Sequence, residues 1–412
     1  MRLRHTRPGR VGLVPGCGEP PGRRVERPYA GPVPGRPAPD PTRGRRQPLR
    51  VAALFVSDWG PEFRDAAAGR VPSHRLFGMA ELAARGHDVR HLTRRRRWLR
   101  LPLALEWRTA QAAWLLREQR RLDVVVATHE AAALPALLLR RVGLLRRPVV
   151  VLTVAALEAT SRPGRAGRVQ RLALAAADAV TVFASVQVAP LAQRLGLPPG
   201  RVRAVPLGVD TAYFVPRPEP RDGGVLSVGT NAGKDYPTLV RALEAGTACT
   251  IVTDPWNRER ALAALAALGD ARPDLDFRAD VPIEALRDLY ARAEVVVLPL
   301  RESEVSSGQT VLLENLATGT PVVVSDVSGI ADYVDASVVR LVPAGDDAAL
   351  RAALTDASWH DRAADGPAHV AAAFTTAHLA AAVEDVVRDV LAGRLVSVGQ
   401  PRPGRGRKPT LS

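Results

Sequence analysis

From residue 49 onward, short and nearly continuous apolar runs alternate with longer stretches whose apolar positions recur at helical spacing. The runs LRVAALFV (49–56), LDVVVAT (122–128), PVVVLTV (148–154) and DAVTVFA (178–184) are rich in β-branched residues and lack polar alternation. Strands of that kind are buried on both faces, as in a parallel sheet flanked by helices. DVRHLT adds a strand, and RVRAVPLGVD (201–210) a short strand and a turn. Between them, 73–86 reads as a helix stopped by Gly86, and roughly 101–121 as a long one.

The stretch 211–223 is dense in Pro and Gly and reads as a linker. The alternation then restarts with GVLSVG (224–229), a helix over 235–246, and the strands CTIVTD, LDFRAD, EVVVLPL, PVVVSD and VVRLVP. Two successive βα runs predict an α/β protein of two doubly wound, Rossmann-like sheets facing a cleft. Strand carboxyl ends and helix N-termini converge on that cleft, where open α/β sheets bind ligands. The expected domains are 49–210 and 224–374, followed by a C-terminal helix over 375–393.

Charge changes the picture only at the ends. Of the net +15, residues 1–50 supply +9 and residues 401–412 supply +4, leaving +2 for the body between. The segments 1–48 and 394–412 are basic, rich in Pro and Gly, and too poor in apolar residues to build a core, so they read as disordered tails. A near-neutral body argues against nucleic acid as a partner. Cys17 and Cys249 offer neither a disulfide framework nor metal-ligand spacing. The N-terminus lacks the apolar core of a signal peptide, and no run of roughly 18 apolar residues occurs. A soluble cytoplasmic protein is expected.

The chemistry concentrates in SSGQTVLLENLATGTPVVVSDVSG (306–329). A polar turn carrying Gly308 opens an apolar helix that holds one carboxylate, Glu314, and a second turn with Gly329 follows the next strand. Unpaired N–H groups at a helix start, with Gly allowing close approach, form an anion site. VGTNAGKDYPTL, after GVLS, is a second such turn and adds the cation Lys234. Two anion sites in one sheet suit a diphosphate, and a carboxylate further along the helix suits the vicinal diol of a ribose. The alternatives are a surface lysine and a carboxylate that only pairs with an arginine.

The stretch 306–334 strongly resembles the donor-site motif of the retaining GT-B glycosyltransferases of family 4, the glycosyl transferases group 1 domain. VPLGVDTAYF (205–214), SVGTNAGKDYPTLVRAL (227–243) and LRDLYARAEVVVLPL (286–300) resemble the same family, and FGMAELAARGHDV (77–89) and LDVVVATHE (122–130) do so more loosely. The resemblance implies transfer of a sugar from a nucleotide diphosphate sugar, with retention and without a metal or other cofactor. By it, Glu314 would hold the ribose and Lys234 the diphosphate. The backbone of Gly308, Gln309 and Thr310 would meet the distal phosphate, with Ser306 and Ser307 as added donors. His129 matches the histidine that approaches the transferred sugar. Two positions depart from the family pattern. Ser306 stands where the motif carries a second Glu, which makes Glu302 and Glu304 the nearest substitutes and Glu304 the catalytic candidate beside His129. Thr230 replaces the usual Arg of the donor pocket.

The acceptor is not legible. Arg94–Arg97, with Trp107 and Trp114 on one helical face, read either as a core-facing stripe beside solvated charge or as a patch for an anionic membrane and a lipid-linked acceptor. A nucleotide-sugar epimerase of the same fold and a non-catalytic sugar-nucleotide binder are the alternatives to a transferase.

Overall fold

The computed structural model describes residues 47–93, 103–270, 272–303 and 305–395. Most of both predicted tails lies outside these, as do Arg94–Arg97 and Glu304.

The apolar runs become two parallel sheets. The first holds β1 (Arg50–Leu54), β2 (Asp88–His91), β3 (Val124–Ala127), β4 (Val149–Leu152), β5 (Ala179–Val182) and β6 (Val202–Ala204), in the order β2-β1-β3-β4-β5-β6. The second holds β7 (Val225–Val228), β8 (Ala248–Val252), β9 (Asp274–Arg278), β10 (Val295–Leu298), β11 (Val322–Asp326) and β12 (Arg340–Pro343), in the order β12-β11-β10-β7-β8-β9. All pairings between these strands are parallel. Every residue of β3, β4, β5, β7 and β10 is buried, which is why these strands show no alternation in the sequence. In each sheet the strand order reverses once, between β1 and β3 in lobe 1 and between β7 and β10 in lobe 2. Ligands of such sheets bind outside the carboxyl ends of the strands at that reversal.

Three elements differ from the sequence reading. The helix expected over 73–86 is a 3₁₀ turn, Ser73–Leu76, and a short helix, Met79–Ala84, broken at Phe77 and Gly78, both with positive φ. The expected linker is not free: Tyr213 and Phe214 are buried in the core of lobe 2, beside Val209. Further along it, the Arg221 guanidinium donates to the carbonyls of Thr318 and Gly319 and to Thr320 Oγ1. Aromatic side chains and a guanidinium able to satisfy several carbonyls anchor this Pro-rich segment where composition alone suggested slack. The C-terminal helix, Thr376–Leu391, is not a separate unit. Its Leu379, Ala380, Val383, Val386 and Val387 share one core cluster with Val51, Ala53, Phe55, Met79 and Leu82 of lobe 1. The chain therefore crosses between lobes twice, and the crossings touch where Val209 N–H donates to Phe374 O at 2.8 Å and Thr376 N–H to Val209 O at 3.1 Å. Among the described residues no helix is long and apolar enough to cross a membrane.

Candidate active site

The strand reversal of lobe 2 brings the turn after β7 against the turn after β10. Lys234 and Leu300 form an antiparallel bridge there, and Arg301 N–H donates to Gly233 O at 2.9 Å. Between the two turns lies the Lys234 ammonium. The side chain is 2% exposed and Nζ has no hydrogen-bond partner. Its stem runs across Gly229, where an added Cβ would stand 2.0 Å from Lys234 Cε, so a larger residue there would displace the lysine side chain. A Cβ at Gly308 would lie 3.5 Å from Nζ. Burial pushes the ammonium down to about 8 from the ordinary 10.5. An unpaired cation buried in this way is costly unless an anion joins it.

Gly308, with φ +86°, starts the helix Gln309–Ala317. A left-handed residue there lets the chain turn into the helix beside Lys234, and no side chain caps the helix start. Gln309 is buried and donates from Nε2 to Gly329 O at 2.6 Å, tying the two glycine turns of the motif together. Ser307 Oγ donates to Asn231 Oδ1 at 2.9 Å. Asn231 O in turn accepts from Asn257 Nδ2 and from Lys234 N–H. Ser306 is half-buried, Thr230 and Thr310 are exposed, and none of the three side chains has a hydrogen bond among the described residues. Glu302, one of the two acids nearest Ser306, accepts instead from Ser328 N–H at 3.2 Å and from Ser328 Oγ, capping the turn before Gly329. Glu304 lies outside the described residues.

Glu314 is 3% exposed, and both its oxygens are engaged. Tyr290 OH donates to Oε2 at 2.9 Å, and His74 Nε2 of lobe 1 stands 3.3 Å from Oε1. His74 Nδ1 accepts from Asp210 N–H at 3.3 Å, which puts the ring proton on Nε2, toward the carboxylate. Burial and the adjacent carboxylate hold the Tyr290 phenol well above its ordinary range, so it remains a donor. The sequence gives no sign of His74, because its carboxylate partner is on the other lobe.

In lobe 1, His129 follows β3 and caps the helix Glu130–Arg141. Its Nδ1 accepts from Ala131 N–H at 3.0 Å, so Nε2 carries the proton, 3.5 Å from Glu130 Oε1. Glu130 is buried, and its Oε2 accepts from Val154 N–H at 3.2 Å. His129 thus presents an N–H donor at the carboxyl end of the sheet, beside a cavity of about 530 Å³. Trp107 Nε1 donates to Phe55 O at 3.0 Å and Trp114 packs against the lobe core, so both tryptophans of the helix Leu103–Glu118 are held by the fold. Among the described residues no group of three or more His, Cys, Asp or Glu side chains gathers where a metal could sit.

Two parallel six-stranded lobes, joined by paired crossings and meeting at the carboxyl ends of their strands, define the GT-B class. Residues 55–213 match the family model Glycosyltransferase Family 4, and residues 234–358 match Glycosyl transferases group 1. The chain belongs to family 4 of the glycosyltransferases. It is 28% identical over 215 residues to the D-inositol 3-phosphate glycosyltransferase of Acidothermus cellulolyticus, covering 45% of this chain and 47% of that protein. Its counterpart in Kineococcus radiotolerans is 29% identical over 259 residues, covering 55% and 54%. The chain thus spans about half the length of the curated relatives it matches. Among solved structures it resembles sucrose-phosphate synthase of Thermosynechococcus elongatus, with a TM-score of 0.61, 20% identity, and 84% of this chain and 100% of that one covered. HepE of Anabaena, in complex with UDP and glucose, gives a TM-score of 0.58 at 15% identity, with 82% and 99% covered.

Proposed function

We propose that the protein transfers a sugar from a nucleoside diphosphate sugar to a hydroxyl of an acceptor seated on lobe 1, with retention at the anomeric carbon. The observation that carries this reading is Lys234: a buried ammonium without a partner, held between two glycine turns at the strand reversal of lobe 2. A diphosphate supplies the missing anion. It meets Nζ and the free N–H groups at the start of the helix Gln309–Ala317 together. Glu314 takes the ribose diol, whose hydroxyls then replace His74 or Tyr290 as its donors.

In the transfer, the acceptor hydroxyl oxygen bonds to the anomeric carbon on the face from which the diphosphate departs. The carbon–oxygen bond to the phosphate breaks, and the nucleoside diphosphate leaves with the electron pair. The hydroxyl proton passes to the departing phosphate oxygen. Lys234 and the helix N-terminus stabilise the charge that develops on the leaving group. The His129 Nε2–H donates to a hydroxyl of the sugar being moved and fixes its orientation.

Calorimetric titration with UDP, ADP, GDP and TDP, followed by product analysis with the matching sugar nucleotides, tests the proposal. Release of free nucleoside diphosphate together with a glycosylated product is expected. A new nucleotide sugar would mark an epimerase, and binding without turnover a non-catalytic receptor.

A further inference from the structure

We infer that the outer layer of lobe 1, formed by the helices Leu103–Glu118, Glu130–Arg141 and Gly164–Leu174, is a docking surface for an anionic lipid bilayer. The three helices lie side by side on one face of the first sheet, where Leu115, Leu137 and Leu174 share a core cluster with residues of β1, β3, β4 and β5. Their outer sides are not polar, as those of a solvated layer would be. Six of the twelve large apolar side chains exposed among the described residues lie on these helices or just after them: Leu116, Leu138, Val142, Leu144, Val169 and Leu172.

The six belong to one surface. Leu138 and Val142 continue the stripe of Ala131 and Leu134 along the outside of the helix Glu130–Arg141. Gln119 Nε2 donates to Leu116 O at 3.4 Å and to Leu144 O at 3.2 Å, which brings the end of the first helix against the turn after the second. On the other flank, Leu134 and Val169 line one cavity, so the second and third helices meet along their apolar stripes. Leu172 lies one turn beyond Val169.

Charge selects the partner. Residues 103–174 hold twelve arginines, no lysine and five acids, whereas the whole body between the tails is only +2. The acids do not offset the surface. Glu106 and Glu130 are buried, Glu118 faces Arg90 and Arg121, and Asp123 faces Arg50. Arg117, Arg120, Arg141, Arg146, Arg165 and Arg168 are exposed, and among the described residues none of their side chains has a partner. Aliphatic side chains enter the boundary between headgroups and acyl chains, while guanidiniums meet lipid phosphates. A second copy docked through the same face would set arginines against arginines. Among the described residues the face exposes no large aromatic anchor for a protein partner. It is separate from the tryptophan stripe read in the sequence, since Trp107 and Trp114 are held by the fold. The helix Glu130–Arg141 begins at His129, so a bilayer on this face reaches the rim of the cleft.

The test uses the full chain and vesicles of phosphatidylcholine, with or without phosphatidylglycerol. The basic ends of the chain also attract anionic lipid, so the readout is local. Val142→Cys in a Cys17→Ser background carries an environment-sensitive fluorophore, Cys249 being buried, and Ser337→Cys on lobe 2 is the control. A blue shift at position 142 is expected on phosphatidylglycerol vesicles, with none at position 337 and none on phosphatidylcholine alone. Adding Leu138→Ser or Leu172→Ser should raise the lipid concentration at half-shift roughly 10-fold each. Arg141→Ala or Arg168→Ala should raise it about 5-fold each, and less at high salt. The melting temperature should hold, because all four side chains are exposed. Sedimentation with vesicles but no shift at position 142 would assign the binding to the ends of the chain and overturn the inference. No sedimentation, or a half-point that the leucine substitutions leave unchanged, would overturn it too. A shift that grows with protein concentration in the absence of lipid would make the face a contact between copies instead.

Discussion

His74 of lobe 1 places its Nε2 3.3 Å from Glu314 of lobe 2, inside a buried group that includes Tyr290 and Phe214. The carboxylate assigned to the ribose is thus also a point where the lobes hold each other. If the ribose binds there as proposed, it and the contact between the lobes would share Oε1, the oxygen His74 faces. His74→Ala should lower stability by about 1–3 kcal/mol, since a buried acceptor loses a partner, while nucleotide affinity holds or rises. Glu314→Gln should weaken ribonucleotides more than their 2′-deoxy forms. A double-mutant cycle on the pair should give a coupling of about 0.5–3 kcal/mol, and a coupling of zero in chemical denaturation would show that the contact contributes nothing.

Lys234→Ala should weaken nucleoside diphosphate binding roughly 10- to 150-fold, the range for a charge-assisted hydrogen bond. Lys234→Met should do the same while raising the melting temperature of the ligand-free protein, because it removes an unpaired buried ammonium. A variant that loses stability and keeps its affinity would mean that Lys234 packs rather than binds.

The same lysine sets a pH dependence. Its folded value, about 8, lies below the unfolded 10.5, so below pH 8 the folded protein bears the full cost of the buried charge. Between pH 8 and 10.5 the unfolded chain binds more protons, and this group's contribution to stability rises with pH. Diphosphate binding favours the charged form, so above pH 8 each binding event takes up a proton. Affinity should be flat below pH 8 and fall by about tenfold per pH unit above it. Calorimetry in buffers of different ionisation enthalpy reads the proton uptake, and Lys234→Met should abolish it.

Under the proposed mechanism turnover should survive EDTA, since Lys234 and the N-terminus of the helix Gln309–Ala317 would neutralise the leaving diphosphate. Activity lost in chelator and restored by Mg²⁺ or Mn²⁺ would show that the donor arrives with a metal.

Tyr333 OH accepts from Leu207 N–H at 2.9 Å and donates to Phe183 O, and it joins the lobes beside the first crossing. Tyr333→Phe leaves both backbone groups without that partner and should cost about 2 kcal/mol, read as a lower denaturation midpoint. Donor affinity should be unchanged, which separates this joint from the His74–Glu314 contact.

The alternation of apolar runs and helical stretches by itself determined the two sheets. A strand buried on both faces shows no polar alternation, and β3, β4 and β10 each carry three valines in a row. The two glycine turns were legible for a local reason: Gly229, Lys234 and Gly308 sit at fixed offsets from the ends of β7 and β10, and strand order then brings them together. What only the tertiary structure decided depends on residues far apart in the chain. It buried Glu314 against His74 and Tyr290, gave Glu302 to Ser328, and drew the C-terminal helix onto lobe 1. Local spacing carries no record of such contacts, because a side chain's partner across the fold is set by how the helices pack on the sheets.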